Sequence, residues 1–208
     1  MLAISLISSY NFCHMSRNED MEGIKSMQSG KYKTRDTVFI AMFAVLIAIC
    51  SWISIPTVIP FTMQTFAVFL ALNYLGAGKG TLCVCVYLLL GLLGLLVFAN
   101  FTSGIGMLLG TTGGYMIGWI LAGLVMGLLE RLLGRKLWAQ AVSMLIGLVV
   151  CYLSGTVWFM AVYAEHTGVI GMWTVLVWCV ISFVVPDLVK LFLALCVSQR
   201  LKKLARQI

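Results

Sequence analysis

Charge is what this chain has least of. Only 10% of its 208 residues are Asp, Glu, Lys or Arg, against 62% hydrophobic, and the mean hydropathy is +1.04. A soluble domain of this length needs charge to cover its surface, so that class is excluded. The seven cysteines (Cys13, Cys50, Cys83, Cys85, Cys151, Cys179 and Cys196) contain no CxxC pair and mostly sit in apolar runs. They read as buried free thiols rather than metal ligands or disulfides. His14 and His166 stand alone, so no metal-ligand spacing exists and no cofactor is expected. No Ser-His-Asp, Cys-His or paired-carboxylate arrangement supports catalysis.

What remains is long apolar sequence. The runs are continuous rather than alternating, which argues for membrane helices and against a barrel. A bilayer core needs about 20 helical residues. That spacing predicts spans at Thr37–Ile55, Phe61–Leu75, Thr81–Ala99, Ile105–Leu129 and Leu137–Tyr163, with a sixth at Pro186–Leu204. Proline is favoured in a first helical turn, which places the sixth start at Pro186. Residues Val169–Val184, with Trp173 and Trp178, read as a separate piece at the outer face. One proline-kinked helix is the alternative.

The expectation is an all-α integral membrane protein with six transmembrane helices. Residues 34–208 form its single membrane substrate-binding domain. Residues 1–33 read as a polar leader with no expected structure. Met1–Phe12 is too short to span and no Lys or Arg precedes it, which makes a poor signal peptide. A tail, or true initiation at Met15, Met21 or Met27, fits better.

The formal net charge of +7 could suggest nucleic acid. Its placement decides otherwise. With the N-terminus inside, the inner segments carry Lys25, Lys31, Lys33, Arg35, Lys79, Arg131, Arg135, Lys136, Arg200, Lys202, Lys203 and Arg206. The outer connections carry no Lys or Arg, only Asn100 and the Glu165-His166 pair. This is the positive-inside pattern, with both termini cytoplasmic. The basic excess is topology, and no nucleic-acid partner is expected.

Asp187 and Lys190 are the one acid and the one base that fall within long hydrophobic sequence. Three residues apart, they share a helix face. Charge at a bilayer centre costs about 2.5–3.5 kcal/mol per residue on the insertion scale. Such a pair grips a polar ligand or is a mutual salt bridge with none. Asp187 near a helix start is favoured by the macrodipole. Thr62, Gln64 and Thr65 open the second span. The threonines could simply cap their own helix, whereas the Gln64 amide needs a partner in lipid. Gly106, Gly110, Gly114 and Gly118 repeat every four residues, which permits close helix packing. For Gly113-Gly114 backbone exposed to a ligand is the other reading, with Tyr115 offering a ring and a hydroxyl. Ala44 and Ala48 give the first span a small-residue stripe, for internal packing or for a docking helix. Gly76-Ala77-Gly78-Lys79-Gly80-Thr81 is no phosphate loop. Asn73 stands where the first Gly is needed and Gly80 where Ser or Thr must follow the lysine. It reads as a tight cytoplasmic turn.

Together, Pro60-Phe61-Thr62-Met63-Gln64-Thr65, Gly91–Ala99, Gly110–Tyr115 and Pro186-Asp187-Leu188-Val189-Lys190 resemble the BioY family of biotin-capture subunits of energy-coupling factor transporters. Leu96 and Thr111 stand where the family usually has proline. The resemblance implies a six-helix plasma-membrane subunit that binds biotin on its outer face. Its partners would be a membrane coupling subunit and two ATP-binding cassette ATPases. Asp187 and Lys190 match the family's polar binding pair, and Asn100 is similar to its ureido-contacting amide. Phe98 and Tyr115 would wall the apolar part of the ligand. Ala44 and Ala48 resemble the surface presented to the coupling subunit. A stand-alone secondary carrier is the competing class, though no polar pair in the first three spans answers Asp187 and Lys190 as inverted halves would require. A small membrane enzyme is disfavoured by the missing nucleophile–base pair.

Overall fold

The structure is a computed structural model and describes residues 34–55, 61–134, 136–167, 180 and 182–205. The leader and Trp173 and Trp178 lie outside the described residues. The chain divides into two compact units at Val38/Phe39. Of the first, only the opening turn of a helix is described. The second carries everything that follows.

Seven α-helices occur among the described residues. α1 (Thr34–Trp52) leads into a short antiparallel ribbon, β1 (Ser54–Ile55) paired with β2 (Phe61–Thr62) in the register Ser54–Thr62 and Ile55–Phe61. α2 (Gln64–Leu75) and α3 (Ala77–Leu92) follow, then a 3-10 turn (Ala99–Phe101) and α4 (Ile105–Leu109). α5 (Gly113–Leu133), α6 (Leu137–Thr167) and α7 (Ser182–Leu204) complete the order. By length and composition α1, α5 and α6 as far as Val162 can each cross a membrane, while α2 and α3 are shorter apolar helices.

The outer surface is apolar. Leu124, Leu128 and Leu132 of α5, Val149, Leu153 and Val157 of α6, and Val185, Val189 and Phe192 of α7 are all exposed. In water such a contiguous patch would drive association, so this is a surface for lipid. The interior packs Phe69 and Leu72 of α2, Tyr87 of α3, Met126 of α5 and Met144 of α6 into one core.

Several helix ends depart from the hydropathy reading. The third helix stops at Leu92, because Gly94 takes a positive φ of 97° and the chain folds back to lay Phe98 over Gly91. Leu93, Leu95 and Leu96 stay apolar but lie in that turn, exposed. The expected fourth span is broken at Gly110 into α4 and α5. The last helix starts at Ser182, so Pro186 lies inside its early turns rather than at its first position. The end of the expected outer-face piece therefore belongs to α7, and the rest lies outside the described residues. Ala44 and Ala48 are 2% and 6% exposed and sit in the core. The small-residue stripe takes part in internal packing, and Met42, Val45 and Ile49 form the exposed face of α1.

The turn expected over residues 76–81 is shorter than that, because residues 77–81 already belong to α3. Gly76 alone joins α2 to α3, with a φ of 80° that suits glycine. Four residues on, a Cβ at Gly80 would fall 2.6 Å from the Leu72 Cα, a backbone atom that cannot step aside. A Cβ at Gly78 would meet nothing within 4 Å. Gly80→Val is therefore expected to lower stability by about 1–3 kcal/mol through overpacking. Gly78→Ala should leave it unchanged, both measured by thermal unfolding in detergent.

Candidate functional site

β2, α2, α5, α6 and α7 surround a cavity. Its empty space, counted out into open solvent, is about 710 Å³. The walls are mostly apolar: Met107, Met116, Trp119, Leu148 and Phe183, with Tyr115 and Tyr152 adding rings. The polar groups are Thr62, Gln64, Thr65, Thr112, Asp187 and Lys190.

Asp187 and Lys190 are both 4% exposed. One helical turn brings them together, with Lys190 Nζ 2.8 Å from Asp187 Oδ1. Their remaining valences come from other elements. The Tyr152 hydroxyl of α6 donates to Asp187 Oδ2 at 2.7 Å. Lys190 Nζ donates to the Thr62 carbonyl of β2 at 2.7 Å and stands 3.8 Å from the centroid of the Phe61 ring. That ring stacks on Phe183 with centroids 6.0 Å apart. The ribbon positions both contacts: pairing with β1 holds Phe61 and Thr62 extended before α2 begins. Ion, counter-ion, phenol and carbonyl form a net-neutral group. The carboxylate keeps acceptor capacity and the ammonium keeps one donor.

Gln64 faces the cavity from the first position of α2. Its Nε2 donates to the Tyr87 hydroxyl at 2.7 Å. The Thr62 hydroxyl accepts from Gln64 N at 3.3 Å, across the turn that leads into α2. So Thr62 uses its hydroxyl for the fold and its carbonyl for Lys190. Tyr115 lies over Gly155, where a Cβ would collide with its ring.

Of the eight binding residues expected, the cavity brings together Asp187, Lys190, Gln64, Thr62 and Tyr115. Asn100 is exposed, in a left-handed conformation (φ 55°, ψ 33°), and its Oδ1 accepts from Ser54 at 2.9 Å. Its neighbour Ala99 is the residue of that turn that lines the cavity. Phe98 is fully buried behind the wall, edge-on to Tyr87 at 5.7 Å. Gly113 has a packing role, since a Cβ there would run into the Leu108 backbone. Gly114 and Gly118 pack in the same way against Trp158, Ser154 and Cys151 of α6, so those two serve helix contact, whereas a Cβ at Gly106 would meet nothing within 4 Å and one at Gly110 only the Gly106 and Met107 carbonyl oxygens. Tyr152 and Trp119 were not anticipated. Each is an aromatic residue in an apolar run, and nothing beside it in the chain marks it out.

Breaking a buried ion pair strands one charge and costs about 3–5 kcal/mol, whereas removing both ions is far milder. Asp187→Leu and Lys190→Met should therefore each lower the unfolding free energy by about 3 kcal/mol in detergent. The double variant should recover most of that loss. Additive losses in a double-mutant cycle would contradict the pairing.

A model of the BioY family matches residues 21–207. The chain is 40% identical over 171 residues to "Biotin transporter BioY" of Thermotoga maritima, which covers 82% of this chain and 97% of that protein. It is 34% identical over 171 residues to "Probable biotin transporter BioY" of Pyrococcus horikoshii, covering 82% of this chain and 98% of the relative. In fold it is similar to the crystal structure of the S-component for biotin from an ECF-type ABC transporter. That likeness has a TM-score of 0.74 at 23% identity, over 84% of this chain and 94% of the other. Matched along most of its length by the family and by these relatives, the chain belongs to the BioY family.

Proposed function

We propose that this protein is the biotin-binding membrane subunit of an energy-coupling factor vitamin uptake transporter. The observation that carries the reading is the buried Asp187–Lys190 pair lining an otherwise apolar cavity. A ureido ring offers two N–H donors and a carbonyl, next to an apolar sulfur ring and chain. The Asp187 carboxylate accepts from an N–H, and the remaining Lys190 donor goes to an oxygen. Because the pair is already neutral, it suits a neutral polar head without leaving a buried charge uncompensated. Tyr115, Trp119 and Met107 pack on the apolar body. Asn100, on the turn beside Ala99, is assigned to the rim, where its amide exchanges Ser54 for the ligand.

In this reading α1, α2 with its preceding ribbon, α3, α5, α6 and α7 make six spans in the plasma membrane. The basic clusters hold both termini in the cytoplasm, and the cavity opens outward. The chain has no phosphate loop of its own. A membrane coupling subunit and two ATP-binding cassette ATPases supply the energy. The names of the relatives and the fold of the biotin S-component support this assignment.

Purified protein should bind labelled biotin saturably, displaced by desthiobiotin and not by riboflavin or thiamine. Displacement by riboflavin or thiamine alone would assign another vitamin. Asp187→Ala and Lys190→Ala should each weaken biotin binding by at least about 2 kcal/mol, the scale of a lost charged hydrogen bond. Unchanged affinity in both, read by calorimetry, would remove the pair from the site. Uptake into vesicles that lack any ATPase would favour a stand-alone carrier instead.

A further inference from the structure

The cavity wall at Gln64 carries a second polar device, separate from the ion pair and built on Tyr87 of α3. Tyr87 is fully buried. Its hydroxyl lies 2.9 Å from the Val97 carbonyl oxygen and 2.7 Å from the Gln64 side-chain amide. A phenol has one hydrogen to give and a carbonyl has none. Were that hydrogen aimed at Gln64, the phenol and carbonyl oxygens would face each other at 2.9 Å with no proton between them. The hydrogen therefore goes to Val97. The group that Gln64 turns towards Tyr87 must then be a donor, its Nε2.

This orders the whole amide. Oε1 takes the remaining direction, and no donor among the described residues reaches it. It is not a sealed, unsatisfied atom either. Gln64 is 4% exposed and lines the cavity, so the oxygen opens there. The acceptor at the far end of the relay is itself held in place. The Ser51 hydroxyl lies 2.6 Å from the Val97 oxygen, and Trp52 Nε1 donates to the Leu96 carbonyl at 2.9 Å. The turn after α3 is thus strapped to the end of α1, and the strap presents Val97 to Tyr87.

We infer that Tyr87 is a positioning residue: it locks the Gln64 amide with its oxygen towards the cavity, making a subsite that takes a ligand N–H and rejects an acceptor in the same place. The ligand side of this inference rests on the biotin reading; the amide geometry does not. Without the Tyr87 hydroxyl, Gln64 turns over freely and offers either end, so selectivity falls along with affinity.

The test uses the full chain in detergent, titrated with biotin and with the two cyclic-carbamate analogues in which one or the other ureido N–H is replaced by oxygen. The unsubstituted protein should bind one of the carbamates about 10-fold more weakly than biotin, the scale of a buried polar group left unpaired. Tyr87→Phe should narrow that ratio at least about threefold. Gln64→Met should abolish it, and the double variant should match Gln64→Met alone. Equal weakening of all three ligands by Tyr87→Phe, with the ratio kept, would overturn the inference. A second measurement needs no ligand and covers a Tyr87→Phe protein that fails to fold. In ¹⁵N-labelled protein the Gln64 side-chain amide should show one slowly exchanging proton. Its absence overturns the locked amide even if biotin binds. Should biotin not bind at all, the biotin reading falls, and this proton alone decides whether Tyr87 locks the amide.

Discussion

Two opposite charges held 2.8 Å apart at 4% exposure constrain everything around them. Neither ion is tolerable in such a place alone, and the pair together still needs its outer valences filled. That demand falls on two other elements. α6 has to deliver the Tyr152 hydroxyl, β2 has to turn the Thr62 carbonyl inward, and Phe61 has to lie flat beneath the ammonium. The other end of α7 is tied to α2 and α6 by further polar bonds. Lys202 donates to Asn73 of α2 at 3.0 Å, and Gln199 donates to Gln140 of α6 at 2.7 Å. α7 is thus pinned to α6 at both ends, to β2 at one and to α2 at the other. A cavity bounded by those three helices keeps its shape because the polar ties leave little freedom to slide.

The polar part of this cavity was readable from the chain because polarity is expensive in lipid. Asp187, Lys190 and Gln64 stand out against apolar sequence, and each lines the cavity. Tyr152 and Trp119 do the same work without any such contrast. A phenol in an apolar run looks like ordinary packing until its hydroxyl is seen 2.7 Å from a carboxylate. Asn100 shows the reverse limit. Its residue type suits a ligand, but its direction depends on a left-handed turn shared with Phe101, whose ring stacks on Trp52 at 5.2 Å. Side-chain direction in such a turn follows from those tertiary contacts, not from composition.

Helix boundaries were harder to read than helix existence, for a related reason. Hydropathy reports what lipid will accept, and it does not report backbone direction. Leu93 to Leu96 are as apolar as the helix they follow, yet Gly94 ends it. Small residues raise a similar ambiguity: alanine four apart allows another helix to approach but does not say which one. On α1, Ala44 and Ala48 lie in the protein's own core with Ile47.

The brevity of α2 has a consequence for how the bilayer meets this protein. Its 12 residues rise roughly 18 Å at 1.5 Å each, well short of a hydrocarbon slab about 30 Å deep. A chain crossing there makes up the difference with the extended backbone of the ribbon. Non-helical backbone survives at that depth only against protein or water. The ribbon meets that condition against protein: Phe61 lies on Phe183 and beneath the Lys190 ammonium, which also takes up the Thr62 carbonyl.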